Sequence, residues 1–169
     1  FLLAAIGSKY IHSNLAVHSL RLYAQSCGIR SVIETAEYTI NQNREDILAD
    51  LYGRHPDAVG FSCYLWNIRM VKDLAADLHR LRPETELWLG GPEASYDAAG
   101  LLRELPFVRG VMRGEGEEAF RRLMECYDRT GETGGPETPA GGGEDRPSAV
   151  RLPAGELERV PGLVWYAQG

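Results

Sequence analysis

Gly60-Phe61-Ser62-Cys63-Tyr64-Leu65 reads as the end of a buried strand running into a loop, and Leu87-Trp88-Leu89-Gly90-Gly91-Pro92-Glu93 repeats the pattern. Each loop starts with small residues at the place where a side chain would be in the way. Open parallel sheets bind ligands just outside the carboxyl ends of their strands. Two adjacent strands that both end in small residues therefore suggest one ligand lying across both. Arg113-Gly114-Glu115-Gly116-Glu117-Glu118 follows the next strand and completes the set.

Around these segments, short apolar runs alternate with helical periods. Leu2 to Ile6 reads as a first strand, and Asn14 to Ser26 as a helix whose apolar side is Leu15, Val17, Leu20, Leu22 and Tyr23. Gly28 is a natural left-handed cap for it. Ser31 to Thr35 is rich in β-branched residues and predicts the second strand. A helix over Asn43 to Tyr52 stops at Gly53-Arg54-His55-Pro56. Ala58 to Ser62 is the third strand. Asn67 to Leu81 is a helix with Met70, Val71, Leu74, Leu78 and Leu81 on one side. Glu86 to Leu89 and Gly110 to Met112 are the fourth and fifth strands, separated by a helix over Tyr96 to Leu105 that Gly100 interrupts. Glu115 to Tyr127 is a helix whose acidic first turn suits the macrodipole.

Strands separated by helices imply βαβ units, right-handed crossovers and a parallel sheet. The expected fold is α/β, a doubly wound parallel sheet in the flavodoxin-like order, with five βα units and a further C-terminal strand around Val160 to Tyr166. Residues 1–130 are expected to form the α/β domain and 131–149 a flexible Gly/Pro-rich linker. Residues 150–169 are either an extra strand on the sheet or the start of a following domain.

Composition narrows the function. The 169 residues are 44% apolar, enough for a sizeable core, and carry a net charge of -6 with no basic tract. That argues against nucleic acid as a partner. No segment is long and apolar enough to span a bilayer, and Phe1 to Ile6 lacks the flanks of a signal peptide, so no membrane partner is expected. A chain that opens on a strand with no Met is expected to be a trimmed piece of a longer one. Cys27, Cys63 and Cys126 form no C-x-x-C pair and no iron–sulfur run; they are expected to serve as small apolar residues in a reducing cytoplasm.

The first βα loop, Gly7-Ser8-Lys9-Tyr10-Ile11-His12-Ser13-Asn14, is long and polar for a simple crossover. His12 can ligate a metal or act as an acid–base group, or it merely precedes a helix cap at Ser13 or Asn14. The loop has no G-x-G-x-x-G, and the chain has no G-x-x-x-x-G-K-[ST], which speaks against a dinucleotide enzyme or a P-loop NTPase. Ser62 offers a hydroxyl to a ligand or to its own loop. Tyr64, Leu65, Trp66 and Asn67 either wall an apolar ligand or pack under the next helix with Asn67 as its cap. Gly90-Gly91 lets a backbone approach a bulky group, or makes a tight turn before Pro92. Gly114 and Gly116 stand at a helix N-terminus with Glu115 and Glu117, which disfavour phosphate there and suit amide or hydroxyl contacts. A phosphoacceptor receiver would need an acidic cluster by the first strand and an Asp ending the third; this chain has Gly7-Ser8-Lys9 and Ser62.

Asp57 to Ser62, Gly90 to Ser95 and Gly114 to Phe120 together resemble the cobalamin-binding domain at the N-terminus of radical S-adenosylmethionine (SAM) proteins. Val160-Pro161-Gly162-Leu163-Val164-Trp165-Tyr166 resembles the segment leading from that domain into the radical SAM barrel, and Ser8 to Leu15 resembles an uncharacterised subgroup. The wider fold carries D-x-H-x-x-G, S-x-L and G-G motifs. Ser62 matches the serine, Leu65 stands one place late, and Gly90-Gly91 matches the glycine pair. His12 is in register, but Tyr10 replaces the aspartate that orients the histidine, and Leu15 replaces the glycine.

The resemblance implies that cobalamin is the cofactor. Its contacts would come from Ser8, Tyr10, His12, Ser62, Tyr64, Leu65, Asn67, Gly90, Gly91, Pro92, Glu93, Gly114, Glu115 and Gly116, with Ser62 and the glycines lining the slot for the nucleotide tail. His12 is the implied cobalt ligand, or only a neighbour, as in the many relatives that use no protein histidine. No C-x-x-x-C-x-x-C is present, so the [4Fe-4S] cluster and S-adenosylmethionine are implied only for a radical SAM domain in cis, with methyl transfer or radical rearrangement as the parent chemistry and the isolated domain not catalytic. The alternative is a degenerate domain that keeps the fold, binds no corrin and serves as an interaction or substrate-gating module.

Overall fold

A computed structural model describes residues 1–8, 14–133 and 151–166. Five parallel strands, β1 (Leu2–Gly7), β2 (Glu34–Thr39), β3 (Ala58–Ser62), β4 (Glu86–Gly90) and β5 (Gly110–Met112), stand in the order β2-β1-β3-β4-β5. This is the flavodoxin-like doubly wound arrangement expected from the sequence. A sixth strand, β6 (Leu163–Trp165), adds to the edge antiparallel to β5, with Met112 opposite Leu163 and Gly110 opposite Trp165.

Alternation along β1 divides the core between the two faces of the sheet. Leu2, Ala4 and Ile6 pack with α2 (Arg44–Gly53) and α3 (Ile68–Leu81), through Ile47, Leu51, Val71, Leu74 and Leu78. Leu3 and Ala5 pack on the other face with α1 (Leu15–Ser26) and α6 (Gly116–Thr133), through Val17, Ala24, Phe120, Leu123 and Met124. Each of these fully buried large side chains contributes about 1.5–3 kcal/mol of transfer free energy.

Several local expectations are corrected. β2 starts at Glu34, not Ser31, because its register is fixed by β1, from Leu2 opposite Glu34 to Gly7 opposite Thr39. Ser31 is instead captured by Asp128 of α6, which accepts from the backbone N–H groups of Arg30 and Ser31 at 2.9 and 2.8 Å and from the Ser31 hydroxyl. The apolar side of α1 is narrower than expected: Val17 and Ala24 are buried and Leu20 is half-buried, whereas Leu15 and Leu22 lie 79% and 59% exposed and Tyr23 is exposed as well. Val17, Leu20 and Ala24 fall on one helical stripe, and the other large residues are off it.

Leu81 likewise ends α3 exposed. The helix expected over Tyr96 to Leu105 is two, α4 (Pro92–Tyr96) and α5 (Ala98–Glu104). The break falls at Asp97 rather than Gly100, since the Asp97 carboxylate accepts from the Gly100 N–H at 2.9 Å and caps α5. α6 runs on to Thr133, past the expected start of the linker. The rest of that linker, 134–149, lies outside the described residues. Cys63 and Cys126 are buried as expected, but Cys27 caps α1 and is exposed.

After the undescribed stretch, residues 151–166 return to the sheet as α7 (Ala154–Leu157) and β6. Leu152, Leu157 and Val160 join the core against α6. A buried polar network fastens this return at the amino end of β4. The Tyr127 hydroxyl donates to Glu86 Oε2 at 2.5 Å and accepts from Trp88 Nε1 at 2.8 Å. Glu86 Oε1 takes the Leu152 N–H at 3.2 Å, and Arg109 Nη2 donates to the Leu152 carbonyl at 2.7 Å. Burial raises the Glu86 carboxyl above its ordinary value, although Tyr127, Arg109 and the Leu152 N–H pull the other way.

Candidate functional site

The opposite, carboxyl end of the sheet holds an open cleft of about 190 Å³ between α1 and α6. Its floor is Gly60 in the middle of β3, Ser62 and Gly90 at the ends of β3 and β4, and Leu3 and Phe61. Val17, Leu20 and Ala16 form the α1 wall, and Met112, Gly114, Gly116 and Glu117 the opposite one, with Tyr64, Gly91 and Pro92 at the mouth. The cleft is mostly apolar, and among the described residues no Lys or Arg lines it.

Each glycine leaves room for a different reason. A Cβ on Gly90 would meet only Met112, at 3.7 Å, an ordinary contact, so the open space there belongs to the cleft. Gly91 is glycine for the protein's own packing. Its φ is 99°, and a Cβ would lie 2.6 Å from the Cys63 carbonyl oxygen. That close approach locks the two strand ends together, with Cys63 N–H donating to the Gly90 carbonyl at 2.7 Å and Glu93 N–H to the Cys63 carbonyl at 3.3 Å. Burial in this join pushes the Cys63 thiol up to about 12, so it is an inert apolar filler.

Asn14, at the start of α1, ties that helix to the site. Its Nδ2 donates to Ser62 Oγ at 3.4 Å, its Oδ1 accepts the Ala16 N–H at 3.1 Å and caps α1, and its own N–H donates to Glu37 Oε2 at 2.8 Å. Glu37 Oε1 also meets His18 Nε2 at 2.5 Å. Burial pushes the Glu37 carboxyl up, but the Asn14 N–H and the His18 ring outweigh it and hold it below the usual range.

Of the residues expected at the site, Ser62, Tyr64, Gly90, Gly91, Pro92, Gly114 and Gly116 come together around the cleft. The Tyr64 ring is backed by Trp66, stacked at 4.6 Å and 7°. Leu65 projects into solvent, 79% exposed. Asn67 is fully buried and neither lines the cleft nor caps α3. Its Nδ2 donates to the carbonyls of Ile6 and Ser62, and its Oδ1 accepts the Tyr64 N–H at 2.8 Å, so it shapes the β3–α3 loop from behind. Ser8 and Glu115 are exposed and Glu93 is half-buried, all outside the cleft lining. Tyr10 and His12 lie outside the described residues.

Sequence reasoning missed Gly60, Leu3, Phe61 and Met112 as lining residues, along with Ala16, Val17, Leu20 and Glu117. Gly60 carried a signal, since a glycine inside a strand marks a place of close approach. Among the described residues no cluster of His, Cys, Asp and Glu is arranged to hold a metal ion, and no helix is long and apolar enough to cross a membrane.

The family described as "B12 binding domain" matches residues 3–124. The chain belongs to that family. The match runs from β1 into α6 and so contains the whole cleft, while β6 and α7 lie beyond it. The chain is 33% identical over 69 residues to the cobalamin-dependent radical SAM methyltransferase TokK of Streptomyces tokunonensis, covering 41% of this chain and 10% of that protein. It is equally similar over a stretch of the same length to the 2-(S-pantetheinyl)-carbapenam-3-carboxylate methyltransferase of Streptantibioticus cattleyicolor, again 10% of that protein. To the hopanoid C-3 methylase of Methylococcus capsulatus it is 37% identical over 92 residues, which is 53% of this chain and 18% of the methylase. The B12-binding domain described here thus spans only a small part of these relatives' length.

Proposed function

We propose that this chain is the cobalamin-holding part of a larger radical SAM enzyme in a reducing cytoplasm, with methyl transfer or radical rearrangement as the parent activity. The nucleotide tail enters the cleft between α1 and α6, and the corrin lies over the carboxyl end of the sheet. The single observation that carries this reading is the cleft, a glycine-floored, apolar-walled slot at the strand ends of a B12-binding domain.

The lining suits the tail chemically. A planar heteroaromatic base finds apolar side chains on both sides, in Leu20 and Val17 opposite Met112, and a single hydroxyl, Ser62 Oγ, at the floor. When bound, the corrin supplies the organometallic chemistry; this chain binds and orients it. The Asn14 amide holds Ser62 Oγ toward one side, and Tyr64 closes the mouth. The methyltransferase names of two relatives favour methyl transfer over rearrangement.

The test is a titration with hydroxocobalamin followed by visible absorbance after desalting, on the wild-type chain and on Gly90→Leu. Near-stoichiometric retained colour in the wild type, lost in a folded Gly90→Leu, is the expected result. Colour retained equally by both would overturn the cleft assignment. No colour in either, with native circular dichroism, would favour the degenerate domain to which the altered Tyr10 and Leu15 positions point.

A further inference from the structure

Beside the cleft, and meeting it at Gly114, lies a second open groove lined by Ser95, Arg113, Gly114, Gly162, Leu163 and Val164. Arg113 directly follows β5 with an exposed side chain. Among the described residues no carboxylate is within ion-pairing distance of its guanidinium, and no Asp or Glu lines the groove. The carboxylate that does line the cleft, Glu117, is on the same wall as Gly114 and is already engaged across the cleft by the Ser19 hydroxyl of α1, which donates to it at 3.0 Å.

The backbone under Arg113 is fixed from both sides. Its N–H donates to the Gly162 carbonyl at 2.8 Å, and the next N–H, that of Gly114, donates to Ser95 Oγ at 3.3 Å. Ser95 Oγ in turn donates to the Gly91 carbonyl at 2.8 Å. Gly162 has φ 76°, and a Cβ there would lie 3.1 Å from the Arg113 carbonyl oxygen, so only glycine lets the turn before β6 seat this closely. An exposed cation on a pinned backbone, at the edge of an apolar slot in an acidic chain, needs a reason.

The tail of a cobalamin provides one. Its heteroaromatic base is joined to the corrin through a ribose and a phosphodiester, and that phosphodiester is the one ionised group in the tail. With the base in the apolar cleft, the anion comes to the cleft's edge. We infer that Arg113 is a positioning residue for the cofactor, its guanidinium pairing with the tail phosphodiester in the groove that the β6 turn builds. Guanidinium matches phosphate oxygens in a planar fork, and holding the backbone beforehand lowers the ordering cost. This inference rests on the cleft being the slot for the nucleotide tail.

The experiment compares hydroxocobalamin with cobinamide, the corrin that lacks both base and phosphodiester, titrated by absorbance against the wild-type chain, Arg113→Gln and Arg113→Lys. Arg113→Gln is expected to weaken cobalamin about fivefold at low salt, the upper range for an exposed ion pair, and to leave cobinamide unchanged. Arg113→Lys keeps part of the loss from appearing, and added salt erodes wild-type cobalamin affinity more steeply than that of Arg113→Gln. Unchanged cobalamin affinity in Arg113→Gln, or equal weakening of both corrins, overturns the inference while leaving the cleft reading intact. If Gly90→Leu binds cobalamin as well as the wild type does, the cleft reading fails first and this inference falls with it.

Discussion

The two ends of the sheet are built on opposite principles. At the amino end of β4, Glu86, Trp88, Tyr127, Arg109 and the Leu152 backbone fill the interior with polar groups that satisfy one another. At the carboxyl end, Gly90 and Gly114 leave space unfilled, and the hydrogen bonds there shape loops around it. Buried polar groups are costly unless paired, so a network of this kind fixes one arrangement. Glycines at the site do the reverse and forgo packing energy so that something else can enter. The sheet thus separates what holds the domain together from what the domain holds.

The largest expected effect breaks the open end alone. Gly90→Leu fills the cleft and should lower hydroxocobalamin affinity about a hundredfold, because overpacking a filled site costs roughly 1–3 kcal/mol. Its thermal unfolding should shift little, given the ordinary 3.7 Å contact at Met112. A large fall in melting temperature would mean that the cleft is part of the core. Tyr127→Phe attacks the closed end and strands the Trp88 N–H and a Glu86 oxygen. It should cost about 2 kcal/mol in urea unfolding, with corrin affinity unchanged. Weakened corrin binding in that variant would show that the two ends are coupled.

Acidity sharpens the same contrast. Burial raises the Glu86 carboxyl, so its contribution to stability is complete below the ordinary glutamate value and is lost as pH rises through its folded value. Asp128 behaves oppositely. Burial pushes it up, but the Arg30 N–H and the hydroxyl and N–H of Ser31 bring it below the ordinary aspartate value. Its contribution is present above that value and is lost as pH falls through the folded one. Denaturant midpoints from pH 3 to 7 should therefore show Glu86→Gln gaining on wild type as pH rises and Asp128→Asn closing the gap as pH falls. Parallel curves for the two variants would contradict these assignments. The smallest effect is expected at Leu22→Gln, on the exposed side of α1, where both unfolding free energy and corrin-binding free energy should stay within about 0.5 kcal/mol of wild type.

Most of the fold could be read from local pattern. The strand at Ala58–Ser62 and the one at Gly110–Met112 announce themselves as short apolar runs between turn signals, and the small residues at or just past their ends, Ser62 and Gly114, led to the cleft. What pattern could not supply was pairing over long separations. β2 slid three residues because β1 sets its register and Asp128, from the far end of α6, holds Ser31. Asn67 read as a helix cap but turned inward, because the carbonyls of Ile6 and Ser62 offered its amide two partners that only the folded chain brings near. Gly60 carried the signal of a glycine inside a strand, but only the folded sheet brings Phe1 and Leu3 against it beside the cleft. The Glu86–Tyr127–Trp88 network left no trace in the sequence, since each member alone looks like an ordinary residue on a strand or helix.

The division between the two ends also gives the protein its own optical reporters. Trp88 is fully buried, with its indole N–H tied to Tyr127, while Trp66 stands half-exposed behind Tyr64 at the mouth of the cleft. Acrylamide should quench the fluorescence of Trp66 and spare that of Trp88 until the chain unfolds. With Trp165 replaced by Phe, one of the two remaining tryptophans watches the doorway and the other the foundation, and a single emission spectrum distinguishes a ligand arriving from a fold being lost.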